Sequence, residues 1–200
     1  MNKLLLTLFV FTVLISCKDN PVSKKINETK ESVSNTNNAV KEINKMQSDI
    51  EELREIKPLS NDELKAWLPE NVNGMKRISY KAGQMGVVQI SSVEATYASD
   101  DKSKSFKVEV IDGAGQMGAA ATAGMRMLFS QDFEEEDEYK TRKTVNKKGF
   151  KAIEEYRKDR NNTTIELMED KRFYIKITGT NMDINETWDV ISELEPKNLG

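Results

Sequence analysis

The chain has 200 residues, 32% charged and 38% hydrophobic, enough for one domain with extensions and a core of useful size. Its 33 acidic and 30 basic residues nearly balance, so no basic field points to nucleic acid. There is no histidine and a single cysteine, Cys17, which excludes a Ser-His-Asp triad, a Cys-His pair, an internal disulfide and zinc held by imidazoles or paired thiolates. Catalysis would have to rest on carboxylates, Ser-Lys, Tyr or a bound cofactor, and no cofactor or metal is expected.

Residues 1–16 carry one lysine and then an apolar run from Leu4 to Ile15, too short for a comfortable membrane span and patterned as a secretory signal. At its end Leu14-Ile15-Ser16-Cys17 resembles the lipobox of bacterial lipoproteins. The resemblance implies cleavage before Cys17, acylation of that cysteine and attachment to a membrane. Each buried methylene of the acyl chains would contribute about 0.8 kcal/mol. Lys18, not Asp, follows the cysteine. By likeness to Gram-negative lipoprotein sorting this implies the outer membrane, with the periplasmic and surface-facing sides both open. Lys18-Asp19-Asn20 is similar in part to the acidic export tract of Bacteroidota lipoproteins.

Residues 17–38 are polar and lack an apolar pattern, so they are expected to form a flexible tether. Over 39–57 a stripe of Val40, Ile43, Met46, Ile50, Leu53 and Ile56 predicts an amphipathic helix. Packing on its own domain or extending the stalk is favoured over self-association, since the a/d pattern is too short for a firm coiled coil. Pro58 ends it, and Ser60-x-x-Glu63 is a capping box for a short helix carrying Leu64, Trp67 and Leu68, closed by Pro69. Trp67 reads as a core anchor.

Strands are expected at Met75–Tyr80, at Val87–Ala98 after a turn over Ala82–Gly86, and at Phe106–Ile111. The segment AGQMG occurs at Ala82–Gly86 and again at Ala114–Gly118; both copies read as turns, with a shared ligand loop as the sharper alternative. Gly113-x-Gly115-x-x-Gly118 matches the dinucleotide fingerprint. However, Phe106, Val108 and Val110 alternate with charged residues, and no second apolar strand with a ribose ligand follows the helix. The glycines are therefore expected to serve a turn and close packing.

The following helix, Gln116–Ser130, has Arg126 as its one charge. Its pairs Ala120 with Gly124 and Ala119 with Ala123 would let it lie near the sheet. Its methionines Met117, Met125 and Met127 read as core rather than as a binding surface. Asp132–Glu138 holds six acids among seven residues and reads as a solvated loop, with calcium binding the less common use of such a run. Strands follow at Tyr139–Val145, Gly149–Arg157, Thr163–Met168 and Arg172–Thr178, the last three as a meander. Asp183-x-x-Glu186 caps a final helix that buries Ile184, Trp188, Ile191 and Leu194.

The order helix, strands, buried helix, strands, helix predicts an α+β domain over 59–195, an antiparallel β-sheet covered by helices. With Trp67-Leu68-Pro69 and Gly74 opening it, this order resembles the PsbP-like α/β/α sandwich, whose members commonly act as non-enzymatic binding or assembly factors. The expected role is a lipid-anchored binding or accessory module of the bacterial cell envelope, with an envelope protein partner. Two alternatives are an envelope enzyme using carboxylates or Ser-Lys, and a small-ligand carrier using the glycine loops. The one site residue the sequence names is Cys17, for lipidation.

Overall fold

The computed structural model describes residues 40–41, 43–84 and 90–200. The chain divides into two units, Met1–Lys41 and Glu42–Gly200, and the second holds every element that follows. Cys17, the signal and the tether lie outside the described residues.

Helix α1 spans residues 43–55. Only its C-terminal part is covered: Leu53 is buried, Met46 and Ile50 are half-buried, and Ile43 stays 54% exposed. Asp49 on this helix meets Lys171 at 3.0 Å. Helix α2, Asn61–Trp67, begins at Ser60, whose hydroxyl accepts from the Glu63 N–H while the Glu63 carboxylate accepts from the Ser60 N–H. The expected capping box is thus closed at both ends.

Nine strands among the described residues form one sheet: β1 Asn71–Val72, β2 Met75–Gln84, β3 Ser91–Ala98, β4 Ser105–Asp112, β5 Glu134–Glu136, β6 Lys140–Lys147, β7 Phe150–Arg157, β8 Asn162–Glu169 and β9 Phe173–Thr180. Every neighbouring pair is antiparallel, in the order β1-β2-β3-β4-β9-β8-β7-β6-β5. Helix α3, Gly115–Phe129, carries the chain from central β4 to the far edge, and the meander β5–β9 returns until β9 closes against β4. Helix α4, Ile184–Leu194, starts at the Asp183–Glu186 capping box.

Successive side chains along a strand point to opposite faces, and the two hydrophobic clusters divide by that parity. One face joins Val108, Val110, Ile165, Leu167, Ile175 and Ile177 to Leu64 of α2 and to Trp188, Ile191 and Leu194 of α4. Tyr97 and Phe106, directly opposite on β3 and β4, stack there with ring centroids 4.6 Å apart, and the Tyr97 hydroxyl donates to the Pro69 carbonyl. The other face sets Ile111, Ile153, Met168 and Tyr174 against Met125, Leu128 and Phe129 of α3. The fold is therefore mixed α and β, dominated by an antiparallel sheet with helices on both faces.

Three expectations need correction. Ala82–Gln84 continue β2 instead of turning: Gly83 pairs with Ser92, whose hydroxyl donates to the Gly83 carbonyl at 3.2 Å. A strand neighbour decided this, which turn propensity does not register. The acidic run contains the edge strand β5, because Glu134 and Glu135 stand opposite Lys143 and Arg142, where cross-strand charge pairs favour pairing. Finally, Met117 and Met127 are exposed, as are Ala120 and Gly124; Gly118, Ala119, Thr122 and Arg126 turn inward instead.

Glu195, the C-cap of α4, has φ 48° and ψ 64° and precedes Pro196. A side chain in this left-handed region costs about 1–2 kcal/mol, and a following proline restricts the residue further. Glu195→Gly is expected to stabilise the fold by about 0.5–1 kcal/mol, since added freedom in the unfolded chain offsets part of the relief. The thermal midpoint should rise by roughly 1–4 °C; an unchanged or lower midpoint would show that the cap is not strained.

Candidate functional site

The end of the sheet where β4 meets α3 is organised by Asp112, which is fully buried. Arg172 grips it through two bonds, Nε to Oδ1 and Nη2 to Oδ2, both 2.8 Å. The carboxylate also accepts from the Leu59 N–H at 2.8 Å and the Ala114 N–H at 2.9 Å. A carboxylate thus already sits at the N-terminus of α3, where a dinucleotide phosphate would need to lie.

The fingerprint glycines serve packing. Gly113 donates to the Arg172 carbonyl, Gly115 adopts φ 74°, and a Cβ on Gly118 would lie 2.5 Å from the Asp112 carbonyl oxygen. Because β4 lies between two antiparallel neighbours, the βαβ unit of a dinucleotide fold is absent at this motif.

Arg126 lies about three turns along α3, and its side chain packs against this corner, with Nη2 2.7 Å from where a Cβ on Gly113 would sit. Its Nε donates to the Lys171 carbonyl at 2.9 Å and its Nη1 to the Ala119 carbonyl at 3.3 Å. Nη2 is the single buried side-chain polar atom without a hydrogen-bond partner among the described residues. Burial pushes the guanidinium below its ordinary pKa, and Asp49 on α1 opposes that shift. The sequence marks Arg126 as an odd charge on an otherwise neutral helix, which is the signal that could have placed it inside.

The concavity with the most chemical content lies on the sheet face that α3 covers only in part. It has a volume of 330 Å³. Lys81, Glu94, Glu109 and Lys176 run across β2, β3, β4 and β9 in one register row along it. The next row, Gly83, Ser92, Ile111 and Tyr174, makes its less polar wall. Glu94 and Glu109 stand directly opposite each other, an arrangement that like charges disfavour. Lys107 relieves it by reaching both, at 3.5 and 3.1 Å.

Lys81 and Lys176 make no ion pair within 4.0 Å among the described residues. An acid–base pair needs two groups whose surroundings push their roles apart. Glu94 and Glu109 are 48% and 31% exposed and share one ammonium, so their surroundings are alike and the cleft is better suited to holding a ligand.

Topology also brings Ala82–Gln84 of the first AGQMG segment to the same end of the sheet as the second segment. Gly83 on β2, Ser92 on β3 and Ile111 on β4 share a row, and Ala114–Gly118 follows one turn beyond Ile111. Residues 85–89, and with them Gly86, lie outside the described residues.

Tyr174 forms the floor between α3 and this cleft. Burial raises its phenol above the ordinary value of 10.0, with Glu166 and Glu109 adding to the rise. Because the folded state holds this proton more firmly, the contribution is complete below the unfolded pKa near 10.0 and is lost as pH climbs from there toward the folded value. In an ultraviolet titration, the absorbance step removed by Tyr174→Phe should occur above the ordinary tyrosine range. A step at ordinary pH would show that the floor is open to water.

No family model matches the chain, and no curated protein matches it. Among solved structures, a GTP binding regulator from Thermotoga maritima aligns at 11% identity over 68% of this chain and 84% of that one, with a TM-score of 0.32. A likeness that slight carries no argument about fold or ligand.

Proposed function

We propose that this protein is a lipid-anchored, non-enzymatic binding or accessory module of a bacterial cell envelope. The observation that carries the reading is Leu14-Ile15-Ser16-Cys17 at the end of an apolar run, with the chain's only cysteine placed there. Acyl chains on Cys17 would attach the protein to the outer membrane, and residues 17–38 would hold the domain away from the bilayer. Helices on both faces of an antiparallel sheet support the finer assignment to a PsbP-like sandwich. Among the described residues no helix is long and apolar enough to cross a membrane.

The test is labelled-palmitate incorporation by the full chain and its Cys17→Ala variant, with affinity purification of both from detergent-solubilised envelopes. Label on the parent alone, together with a stoichiometric protein partner, is the expected result. Label on both chains or neither would overturn the anchor, and a protein recovered alone would overturn the accessory role. The 330 Å³ cleft favours a second reading, a carrier of a small polar ligand. Native mass spectrometry should then show an added mass that is lost in Lys81→Ala/Lys176→Ala.

A further inference from the structure

Away from the sheet cleft, α2 and the end of α4 enclose a groove of 580 Å³. Its walls are apolar: Leu59, Trp67 and Pro69 line it, each only half-buried, together with the buried Leu199. The Trp67 indole N–H reaches the Glu195 carbonyl only at 3.5 Å, so its polar edge is weakly engaged.

Three exposed carboxylates, Glu63, Glu193 and Glu195, stand around these walls, and no lysine or arginine lines the groove. None of the three forms an ion pair within 4.0 Å among the described residues, whereas Glu94, Glu109, Glu135, Glu155 and Glu186 each have a basic partner. Lys197, next in sequence to the rim, turns instead to the Phe150 ring, 5.4 Å from its centroid. Hydrogen bonds from Ser60 lower the Glu63 pKa, which keeps that carboxylate charged. The negative end of the α4 dipole adds to the same field, with no basic residue in the helix's last turn to offset it.

We propose that this groove docks a lysine or arginine side chain, flanked by apolar residues, from an extended segment of a partner protein. The apolar walls would cover the stem and its neighbours, while the three glutamates hold the cationic head and the indole face offers a cation–π contact. An acidic segment or an anionic lipid headgroup meets the wrong charge. The docking site gives chemistry to the partner in the accessory-module reading and does not depend on the anchor. Loss of acylation would remove that reading and leave the groove's selectivity standing.

The full-length protein in detergent, labelled with ¹⁵N, reports on the groove through the indole resonance of Trp67, assigned with Trp67→Phe and compared with that of buried Trp188. The probes are acetylated, amidated Arg-Leu-Arg, its Glu-Leu-Glu counterpart and arginine amide. Arg-Leu-Arg should shift the Trp67 signal saturably and leave Trp188 in place, and the binding should weaken with salt. In Glu193→Gln/Glu195→Gln, affinity should fall about tenfold, the scale expected for two rim charges. Glutamine keeps an acceptor for the Asn73 N–H and the Asn198 amide, so the fold should survive, as a thermal melt would verify. A shift of equal size with Glu-Leu-Glu, undiminished affinity in the double variant, or no Trp67 shift at millimolar Arg-Leu-Arg would overturn the proposal. Arginine amide binding as tightly as the tripeptide would overturn the partner segment in favour of a small organic cation.

Discussion

Trp188→Ala is expected to lower the stability of the domain by about 3–5 kcal/mol, the range for removing a large buried aromatic ring. Trp188 is fully buried where α4 meets the sheet, and its indole N–H donates to Glu154 at 2.5 Å. Glu154 is itself only 6% exposed. A cation, Lys147, stands 3.9 Å from the carboxylate and 5.5 Å over the indole ring. The alanine variant therefore opens a cavity and also removes the donor from a buried carboxylate.

Two further variants separate these effects. Trp188→Phe retains most of the packing and should cost about 1–3 kcal/mol through the lost donor. Adding Glu154→Met to Trp188→Phe should recover much of that cost, because replacing both partners by apolar groups is nearly neutral. Urea unfolding followed by circular dichroism measures all three. A Trp188→Phe midpoint equal to that of the parent would show that the Glu154 bond contributes nothing.

Arg172→Leu should be comparably damaging, at about 3–5 kcal/mol, because it leaves the buried Asp112 carboxylate without its cation. The effect reaches beyond the pair. Asp112 accepts the Leu59 and Ala114 N–H groups, and Arg172 donates to the Lys57 carbonyl at 3.3 Å. Amide exchange should therefore accelerate at Leu59 and Ala114 before the central strands respond. Arg172→Lys is expected to rescue little, since a point charge cannot make the two parallel bonds of a guanidinium. Asp112→Asn/Arg172→Leu should recover part of the loss by removing the stranded charge. If the single and double variants unfold together, the pair does not organise this corner.

Local signals were readable where chemistry acts over three or four residues. Ser60 with Glu63, and Asp183 with Glu186, mark their helix starts because each capping pair bonds within a single turn. The alternation of Phe106, Val108 and Val110 reads correctly as a half-covered strand, and the same alternation argues against the dinucleotide fingerprint. Ala82–Gln84 reads wrongly because the partner that keeps it extended, Ser91–Val93, is contributed by another strand. Met117 and Met127 read wrongly for a related reason. Hydropathy says that a helix has an apolar face, while the rotation of α3 is set by Gly118 and Ala119 approaching the β4 corner and by Arg126 turning inward.

The candidate sites divide in the same way. The lipobox resemblance at Cys17 is a property of contiguous residues and needs no fold to be recognised. Lys81, Glu94, Glu109 and Lys176 carry no mutual signal in the sequence, because they come from four strands and only the register sets them in one row. Glu63 and Glu193 likewise meet around one groove only because α2 and α4 lie on the same sheet face.

The sequence alone determined the helix caps, most of the strands, the mixed α and β class and the exclusion of histidine-based and paired-thiol chemistry. Periodicity, short-range hydrogen bonds and composition are sufficient for those. The order of the strands, the burial of Asp112 and Arg126, and the gathering of charges into a cleft and a groove were decided by tertiary structure. They depend on which distant segments pair and on the desolvation that pairing imposes, and neither is encoded in any short window of the chain.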